Sequence, residues 1–497
     1  MRVLLRCDST KAQGLGHVIR TMALAEAALA AGHSVQFSGD VESPVGRALI
    51  EDLCSAIHPM PDGPEAVARL ACDVGADLVH IDTYADQGDL VAELRTVGVL
   101  LSSMEDGSFG RRPADLVIDP SPGAELAYRP GDGSYRLFRG AGAIPIRRSI
   151  RELDGAKTVS RGLSAGRDVM IVMGGTDARD MTARCVELWA QTRVPSRCFV
   201  VDPGGRRGFS VELTAGQSLE VIQPSLQVPH HFPSMDLVIS GAGTTTWELA
   251  TLGVPMALVQ LVENQADNYA FATGNGMALG LGNASMGQLD EPSAVAALRG
   301  LLQDDVRRLR LGVQARSVVD GGGADAIVRY WEQMAAESDG ISVRPAEIHD
   351  AGQLFDWRND PTVRQVSREK DELAWDTHLA WVSRVVKDPG VCLLIVQCDG
   401  RPAGTVRFHV LEDGHWEVSI TVAPTMRGRG RAAQILSEAE RYFLERRPEA
   451  VLHASMLDSN IASYKLFRNA GYEGNLDGSG EESWYHLVRR GGTLPGR

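Results

Sequence analysis

Short apolar stretches alternate with amphipathic stretches along the first 330 residues of this 497-residue chain. Each apolar stretch has the length of a strand, and the residues after it carry apolar side chains at helical spacing. Alternating strands and helices predict parallel sheets that are covered by helices on both faces. The predicted strands are residues 3–5, 34–37, 78–81, 99–101, 116–118, 168–173, 198–201, 219–222, 237–239 and 256–259.

Two polar, glycine-containing segments interrupt this pattern. The first covers residues 147–167 and reads as a linker, and a second break lies near residues 320–323 and 337–340. We therefore predict two Rossmann-type α/β domains, at residues 1–150 and 151–335, and a third domain of different character at residues 341–490. In open α/β sheets the ligand lies beyond the carboxyl ends of the strands, so we expect a cleft where the first two domains face each other.

The composition excludes several classes of protein. The chain has 64 acidic and 50 basic residues, and this net charge of −14 argues against nucleic-acid binding. Its seven cysteines form no C-x-x-C pair, so we expect reduced thiols and neither a disulfide framework nor a metal site. The first apolar run is interrupted by Arg6 and Asp8, which does not suit a signal peptide. We expect a cytoplasmic protein that does not insert into a membrane.

The first predicted strand leads through a polar loop to Gly14, Gly16 and His17, where a helix should begin. A glycine loop at a helix N-terminus offers free N–H groups and a positive dipole end, which suits a phosphate. A histidine there can act on the group that the phosphate carries. Two other interpretations stay open. A dinucleotide-binding loop fits poorly, because Ile19 stands where a third glycine is needed, and a plain capping loop is the simplest.

A second glycine turn has the same arrangement of strand, turn and helix. Residues 240–250, SGAGTTTWELA, follow the predicted strand 237–239. The hydroxyls of Thr244 and Thr245 can donate to phosphate oxygens, and Glu248 can accept from ribose hydroxyls. The alternative is plain capping of the helix by this serine and threonine run.

The motifs of this second half resemble those of a known architecture. The series G-A-G-T-T-T-W-E at residues 241–248, then G-x-P and N-Q-x-x-N, the last in residues 264–268, is similar to the UDP-sugar half of GT-B glycosyltransferases. With the N-terminal R-C-D-S and G-x-G-H-V-x-R, residues 1–335 resemble the UDP-sugar hydrolases of pseudaminic acid biosynthesis. Residues 81–84 and 172–177 also match, whereas residues 119–121 have D-P-S where amide side chains are expected.

That resemblance implies an activity and a set of site residues. The family releases UDP from UDP-2,4-diacetamido-2,4,6-trideoxy-β-L-altropyranose. UDP is an acidic leaving group that helix dipoles can hold without a metal, so the enzyme has chiefly to position or deprotonate a water, with His17 in that role. The implied catalytic residues are His17, Tyr84 and Asn264. The implied UDP- and sugar-binding residues are Asp8, Gly14, Gly16, Asp82, Gly174, Gly243, Thr244, Thr245, Glu248, Gln265 and Asn268.

The third domain carries a different glycine turn. Residues 427–432, RGRGRA, follow a predicted strand that ends at Val422 and precede a helical stretch. The N–H groups of residues 428–432 can hold a pyrophosphate at the start of that helix, and the arginines add positive charge. A basic surface patch is the alternative interpretation.

This turn resembles the Q/R-x-x-G-x-G/A motif of the GNAT acyl-CoA transferases, and the resemblance covers residues 341–490. It implies an α+β domain, acetyl-CoA as co-substrate and direct transfer to an amine. Glu417 and His415 are candidates for the base. In this family a tyrosine commonly serves as the general acid, and Phe467 occupies its position here. Tyr464 and Tyr472 lie nearby in sequence. The implied acetyl-CoA-binding residues are Val422, Arg427, Gly428, Arg429, Gly430, Arg431, Ala432 and Asn460.

The two resemblances imply consecutive reactions. The acetyltransferase half would acetylate UDP-4-amino-4,6-dideoxy-N-acetyl-β-L-altrosamine, and the hydrolase half would then remove UDP. The implied partners are a UDP-linked amino sugar, acetyl-CoA and other enzymes of sialic-acid-like sugar pathways. Two alternatives stay open. One is a glycosyltransferase that passes its sugar to an acceptor, and the other is a protein whose UDP-sugar half binds without catalysis.

Overall fold

The chain packs as two compact units, and each is described by itself. The first unit contains Met1–Ala124 and Phe138–Glu332, and the second contains Glu125–Leu137 together with the described residues from Gln333 onward. The three domain boundaries given above stay a prediction. The computed structural model describes residues 1–9, 15–153, 167–174, 177, 180–206, 208–284, 289–336, 340–398, 400–428, 430–477 and 483–490.

The first unit contains a seven-stranded sheet with the order β3-β2-β1-β4-β5-β6-β7. The pairings from β3 through β6 are parallel. Its central strands are apolar and buried, as expected for a parallel sheet that is covered on both faces. The strands are β1 Arg2–Cys7, β2 Ser34–Ser38, β3 Ile57–His58, β4 Leu78–Asp82, β5 Leu100–Met104, β6 Leu116–Asp119 and β7 Arg136–Arg139. The helices are α1 Gly16–Ala30, α2 Pro44–Leu53, α3 Pro64–Asp73, α4 Leu90–Thr96 and α5 Arg148–Arg151.

A second, six-stranded parallel sheet belongs to the same unit, with the order β10-β9-β8-β11-β12-β13. Successive residues of β8 enter two different cores, since Val169 and Ile171 pack on one face and Met170 and Val172 on the other. The strands are β8 Arg167–Val172, β9 Ser196–Val201, β10 Gln217–Ile222, β11 Leu237–Gly241, β12 Met256–Gln260 and β13 Leu279–Asn283. The helices are α6 Met181–Gln191, α7 Thr244–Leu252, α8 Ala266–Gly274, α9 Glu291–Gln303, α10 Asp305–Val318 and α11 Gly323–Ala336.

The ten predicted strands all correspond to strands of these two sheets, and the predicted pair of Rossmann-type folds is confirmed. Three further strands were not predicted. β3 is two residues long, β13 is rich in glycine, and β7 begins and ends with an arginine, so none shows a clear apolar run. The interpretation of residues 147–167 as a linker was wrong in part, because Arg148–Arg151 form α5. Residues 154–166 lie outside the described residues.

The second unit contains a mixed seven-stranded sheet with the order β14-β15-β16-β17-β18-β20-β19, which confirms the predicted α+β class. Only β17 and β18 pair in parallel. One face packs against α15, and the other packs against α12 and α14. The strands are β14 Ile341–Pro345, β15 Val391–Cys398, β16 Arg401–Val410, β17 Trp416–Val422, β18 Val451–Leu457, β19 Glu473–Asp477 and β20 Trp484–Arg490. The helices are α12 Ala351–Asn359, α13 Pro361–Gln365, α14 Trp375–Val385, α15 Ala432–Leu444 and α16 Ile461–Asn469.

Residues 125–137 belong to the second unit although they lie between segments of the first. The Tyr128 hydroxyl donates to Asp356 Oδ1 at 2.8 Å, and the Trp375 indole N–H donates to the Leu126 carbonyl at 3.1 Å. The Tyr128 ring also packs against the rings of Phe355 and Trp375. The second unit is therefore built from two separate stretches of chain. Among the described residues, no helix is long and apolar enough to cross a membrane.

Candidate functional site

A cleft of about 630 Å³ lies in the first unit, beyond the carboxyl ends of strands from both parallel sheets. This is where parallel α/β sheets bind their ligands. Most of the residues that the sequence implied for a UDP-sugar site line this cleft. They are Gly16, His17, Tyr84, Gly174, Gly243, Thr244, Thr245, Glu248, Asn264, Gln265 and Asn268.

Two helix N-termini meet in this cleft. α1 begins at Gly16 and α7 begins at Thr244, and neither receives a side-chain cap. A Cβ atom added to Gly16 would lie 3.2 Å from Thr244 Oγ1, so the two helix ends approach closely. The first N–H groups of each helix have no partner one turn back along the chain, although the Thr246 N–H donates to the Gly243 carbonyl, and both dipoles direct their positive ends here. The arrangement favours an anion such as a diphosphate.

His17, in the first turn of α1, is held in one orientation by Asp82. Its Nδ1 lies 2.6 Å from Asp82 Oδ1. The side chain of Asp82 is fully buried at the carboxyl end of β4, and His17 is 6% exposed. A carboxylate at this distance favours the tautomer with its proton on Nδ1, which leaves Nε2 as the acceptor of the ring. His17 can therefore accept a proton at Nε2.

Arg20, one turn after His17 on α1, joins two carboxylates behind the histidine. Its Nε and Nη2 donate to the two oxygens of Asp82 at 2.6 and 2.7 Å, and its Nη1 donates to Asp106 Oδ1 at 2.7 Å. Burial acts to raise the pKa of Asp82, but Arg20 and His17 outweigh it and hold that pKa well below its usual range. Asp82 is thus a carboxylate at neutral pH. Sequence reasoning missed Arg20 and Asp106, although Arg20 is part of the H-V-x-R motif.

Tyr84 and Asn264 complete the group around His17. The Tyr84 ring lies edge-on to His17, with the ring centres 4.6 Å apart. Its hydroxyl donates to Asp106 and accepts from Asn264 Nδ2 at 3.4 Å. Burial and the neighbouring Asp106 raise the pKa of Tyr84, so its hydroxyl stays protonated. The three side chains implied as catalytic therefore come together, although Asn264 follows a strand of the other sheet.

Glu248, in the second turn of α7, forms a buried ion pair with Arg147. Its Oε1 accepts from Arg147 Nη2 at 2.9 Å and from Arg147 Nε at 3.3 Å, and both side chains are 7% exposed. Sequence reasoning missed Arg147 because it assigned this residue to a linker. Gln265 Oε1 accepts from the Leu261 N–H at 3.0 Å. Its side chain also lies beside the glycine turn, since a Cβ atom added to Gly243 would lie 3.3 Å from Gln265 Nε2.

Two of the implied residues that the structure describes, Asp8 and Asp82, do not line the cleft. Asp8 accepts from Arg6 Nη1 at 2.7 Å and from the Asp40 N–H at 3.2 Å. Asp82 lies behind His17, so its contact is with the histidine. Gly14 lies outside the described residues. Of the departure at residues 119–121, Pro120 and Ser121 line the cleft, while Asp119 Oδ1 accepts from the Ser121 N–H at 3.0 Å.

The glycine turn of the second unit leads from β17 into α15. Gly428 and Gly430 have φ values of 72° and 71°, a left-handed conformation that disfavours any residue with a Cβ. Arg431 stands at the N-cap of α15 without a side-chain cap, and α15 begins at Ala432. The first N–H groups of this 13-residue helix are therefore open to an anion. Arg429 lies outside the described residues.

Two residues implied for acetyl-CoA have structural partners. Arg427 Nε donates to the Val422 carbonyl at 3.2 Å, and its Nη1 donates to Asp360 Oδ1 at 2.8 Å, so Arg427 braces the turn. Asn460 caps α16, because its Oδ1 accepts from the Ser463 N–H at 3.1 Å. Their direct contact with a ligand stays a prediction.

β17 and β18 separate beside this turn. They pair only at Trp416 with Leu452 and at Glu417 with His453. Beyond that point β17 continues to Val422 and pairs with β16 alone among the described residues. Its other backbone edge, residues 418–422, is therefore open to an extended ligand that carries amide groups.

The structure separates the acid candidates. Tyr472 is fully buried, and its hydroxyl donates to Glu440 Oε1 at 2.6 Å, so it is already engaged. Phe467 is 3% exposed and has no donor. Tyr464 packs against the Tyr485 ring with the ring centres 4.3 Å apart. Of the two tyrosines, Tyr464 is the better candidate.

Both base candidates have polar neighbours. Glu417 accepts from Arg368 Nη2 at 2.7 Å. His415 Nδ1 lies 2.9 Å from His453 Nε2 and 3.0 Å from Asp413 Oδ2. Among the described residues, Asp413, His415 and His453 are close enough to hold a metal ion together, and sequence spacing could not reveal this because His453 lies on another strand. The absence of a metal stays a prediction.

Comparisons with known proteins give matches for both parts of the chain. Residues 341–473 match the family model described as acetyltransferase (GNAT) domain. The uncharacterized protein MJ1062 of Methanocaldococcus jannaschii is 20% identical over 510 residues, which cover 98% of this chain and all of that protein. The crystal structure of MurG from Acinetobacter baumannii aligns with a TM-score of 0.52 and 17% identity over 67% of this chain and 99% of MurG. The chain thus has a GT-B-like fold in its first part, followed by a GNAT acetyltransferase domain.

Proposed function

We propose that this protein is a bifunctional nucleotide-sugar enzyme. It acetylates UDP-4-amino-4,6-dideoxy-N-acetyl-β-L-altrosamine from acetyl-CoA, and it hydrolyses the product, UDP-2,4-diacetamido-2,4,6-trideoxy-β-L-altropyranose, to release UDP. The observation that carries the hydrolase half is the His17–Asp82 pair beside two uncapped helix N-termini in one cleft. The GNAT domain and its glycine turn support the acetyltransferase half.

In the hydrolase half, a water attacks the anomeric carbon from the side opposite UDP. The water's oxygen forms the new bond to carbon while its proton passes to His17 Nε2. The bond from carbon to the phosphate oxygen breaks, and UDP leaves with its electron pair, so the configuration inverts. The N-termini of α1 and α7 stabilise the charge on UDP. Tyr84 and Asn264 position the sugar, and Glu248 binds the ribose.

In the acetyltransferase half, the N–H groups of residues 428–432 bind the pyrophosphate of acetyl-CoA. The open edge of residues 418–422 pairs with the amides of its pantetheine arm. The free 4-amino group attacks the thioester carbonyl and loses its proton to Glu417. The carbon–sulfur bond then breaks, and Tyr464 protonates the departing thiolate.

A second candidate is a glycosyltransferase, which the GT-B-like fold favours. His17 could take a proton from an acceptor hydroxyl as readily as from water. UDP release measured without any acceptor separates the two functions. If UDP release requires an added acceptor, the cleft catalyses glycosyl transfer and not hydrolysis.

The test of the whole scheme combines both reactions in one vessel. The purified full chain is mixed with UDP-4-amino-4,6-dideoxy-N-acetyl-β-L-altrosamine and acetyl-CoA, and CoA and UDP are followed by mass spectrometry. We expect UDP release only after acetyl transfer. Release of CoA without UDP would contradict the hydrolase half, and absence of both products would contradict the proposed substrate.

Replacing His17 by alanine should abolish most UDP release and spare acetyl transfer. Loss of a positioned general base costs about 10²–10⁴-fold in rate, and we expect a fall in that range for His17→Ala. His231→Ala is the matched control, since His231 is exposed and does not line the cleft. Full hydrolytic activity in a folded His17→Ala protein would contradict the mechanism.

Replacing Gly430 by alanine should weaken acetyl-CoA binding alone. The left-handed conformation costs an alanine about 1–2 kcal/mol, so the turn will shift and KM for acetyl-CoA should rise about tenfold. Gly400→Ala is the control, because Gly400 has a similar φ of 72° in the turn between β15 and β16. An unchanged KM for acetyl-CoA in Gly430→Ala would show that this turn does not bind acetyl-CoA. Hydrolysis of the acetylated UDP-sugar should be unaffected by either change.

A further inference from the structure

Arg407 is a partly buried arginine of the second unit. Arg407 lies on β16 opposite Leu393 of β15, so it shares the sheet face that packs against α12 and α14. Its Nε is buried without a hydrogen-bond partner, and its guanidinium lies 5.9 Å from the centre of the Trp381 ring. Within the described part of the chain it makes no salt bridge. An unpaired, half-buried cation is costly, which indicates a ligand.

The surroundings of Arg407 carry an excess of positive charge. Burial lowers the pKa of Arg407, Glu417 on the neighbouring strand raises it, and Arg368 lowers it again. Glu417 already pairs with Arg368 at 2.7 Å, so its charge is shared between two guanidinium groups. Arg368 also lies 5.3 Å from the centre of the Trp484 ring. The chain as a whole has a net charge of −14, so this local excess stands out.

The residues around Arg407 share one face of the sheet. Glu417 and His453 pair across the point where β17 and β18 begin to separate. Both alternate with residues that pack against α15, so they face the side opposite that helix, as Arg407 does. Two arginines, a candidate base and two tryptophans are thus associated with one face of the sheet.

We propose that Arg407, flanked by Arg368, binds the diphosphate of a nucleoside-diphosphate acceptor in the acetyltransferase site. The guanidinium fork matches phosphate oxygens and forms paired, charge-assisted hydrogen bonds with them. Trp381 and Trp484 offer apolar surfaces for the rest of the acceptor. This inference rests on the proposed function for the identity of the acceptor, whereas the anion subsite itself rests on Arg407 and its surroundings.

The first test is the kinetics of Arg407→Gln in the full chain. We expect KM for the UDP-linked amino sugar in acetyl transfer to rise about tenfold or more, with a smaller change in kcat. Arg401→Gln is the matched control, since Arg401 lies on the same strand and its guanidinium also lies over an aromatic ring, 5.2 Å from the centre of Tyr135. Acetyl transfer with an unchanged KM in Arg407→Gln would overturn the subsite and leave the proposed function standing.

The thermal midpoint Tm separates a binding role from a structural one. Arg407→Gln removes a partly buried charge that forms no salt bridge with a described residue, so Tm should stay the same or rise. If the Arg407 guanidinium mainly stabilised the fold, Arg407→Gln would have a lower Tm. A lower Tm together with unchanged binding would therefore overturn the proposal.

Calorimetry with inorganic pyrophosphate tests the subsite without assuming the acceptor. The full chain is first saturated with CoA, so that the glycine turn is occupied, and wild type is compared with Arg407→Gln. The cleft of the first unit also favours a diphosphate, so we expect wild type to bind pyrophosphate and UDP at two sites. Arg407→Gln should weaken binding at least tenfold at one of these sites only, while uridine shows no difference. Equal pyrophosphate binding by both proteins would overturn the subsite. A difference in pyrophosphate binding without acetyl transfer to the UDP-linked amino sugar would support the subsite and overturn the proposed acceptor.

Discussion

Asparagine at position 82 will lower the rate of UDP release by about 10²–10⁴-fold and leave acetyl transfer unchanged. The carboxylate of Asp82 accepts the Nδ1 proton of His17 and leaves Nε2 as the acceptor in the cleft. An asparagine amide can donate to Nδ1 instead, which would place the ring proton on Nε2. His17 would then keep its position and lose its function as a base. UDP release from the acetylated UDP-sugar is the measurement.

Asp115→Asn is the control for this change. Asp115 is also a buried aspartate of the first unit, where it accepts from the Leu101 N–H at 2.8 Å, and it does not line the cleft. Its replacement should cost stability without changing the rate of the folded enzyme. A folded Asp82→Asn protein with the wild-type rate would show that His17 does not depend on Asp82.

The same aspartate predicts a difference in acid stability. Arg20 and His17 hold the pKa of Asp82 below its usual range, so the folded state binds this proton more weakly than the unfolded chain does. The stabilisation is therefore complete above the unfolded pKa of about 4 and is lost as the pH falls below it. Asp82→Asn should therefore lose less stability than wild type as the pH falls below about 4. The free energy of unfolding, taken from urea unfolding at several pH values, measures this difference.

Replacing Glu440 by glutamine will destabilise the second unit by about 3–5 kcal/mol. Glu440 is 2% exposed on α15, where it accepts from the Tyr472 hydroxyl and pairs with Arg489 of β20. Burial raises the pKa of Glu440 in spite of these two neighbours, which shows how costly charge is at this position. Glutamine would remove the carboxylate and leave the buried Arg489 guanidinium without it.

Urea unfolding of the full chain measures this effect. The transition of the second unit is the one that saturating acetyl-CoA shifts. Glu445→Gln is the matched control, since Glu445 forms an exposed pair with Arg441 on the same helix and its loss should cost less than about 1 kcal/mol. Replacing Glu440, Arg489 and Tyr472 together by Leu, Met and Phe should recover most of the stability, because no buried charge or hydroxyl remains unpaired. Failure of the triple variant to recover would contradict this reasoning.

The predictions from sequence succeeded where the signal lies in consecutive residues. The apolar runs at residues 78–81 and 237–239 form β4 and β11 as predicted. A strand that is buried on both faces is apolar along its length, so its own residues are enough to predict it. The glycine turns after β11 and β17 were found for the same reason, since strand, turn and helix follow one another along the chain. The short β3 and the glycine-rich β13 carry too weak a pattern, and their neighbours in the sheet define them.

The partners within the site could not be predicted in this way. Asp82 is 65 residues from His17, Arg147 is 101 residues from Glu248, and Asn264 is 180 residues from Tyr84. The motifs named one or both members of these pairs but did not show which atoms meet. Arg147 was missed altogether, because a polar segment looks the same in sequence whether it is a linker or holds a buried ion pair.

The sequence by itself determined the two kinds of fold and the glycine turns before α7 and α15, because periodicity and turn chemistry act over a few neighbouring residues. Only the tertiary structure decided how His17 is oriented, that residues 125–137 complete the second unit, and that Arg407 Nε is buried without a hydrogen-bond partner among the described residues. Those outcomes depend on which side chains, far apart in sequence, meet in the folded protein. Folding decides which charges and hydrogen-bonding groups become neighbours, and no local pattern in the sequence shows this.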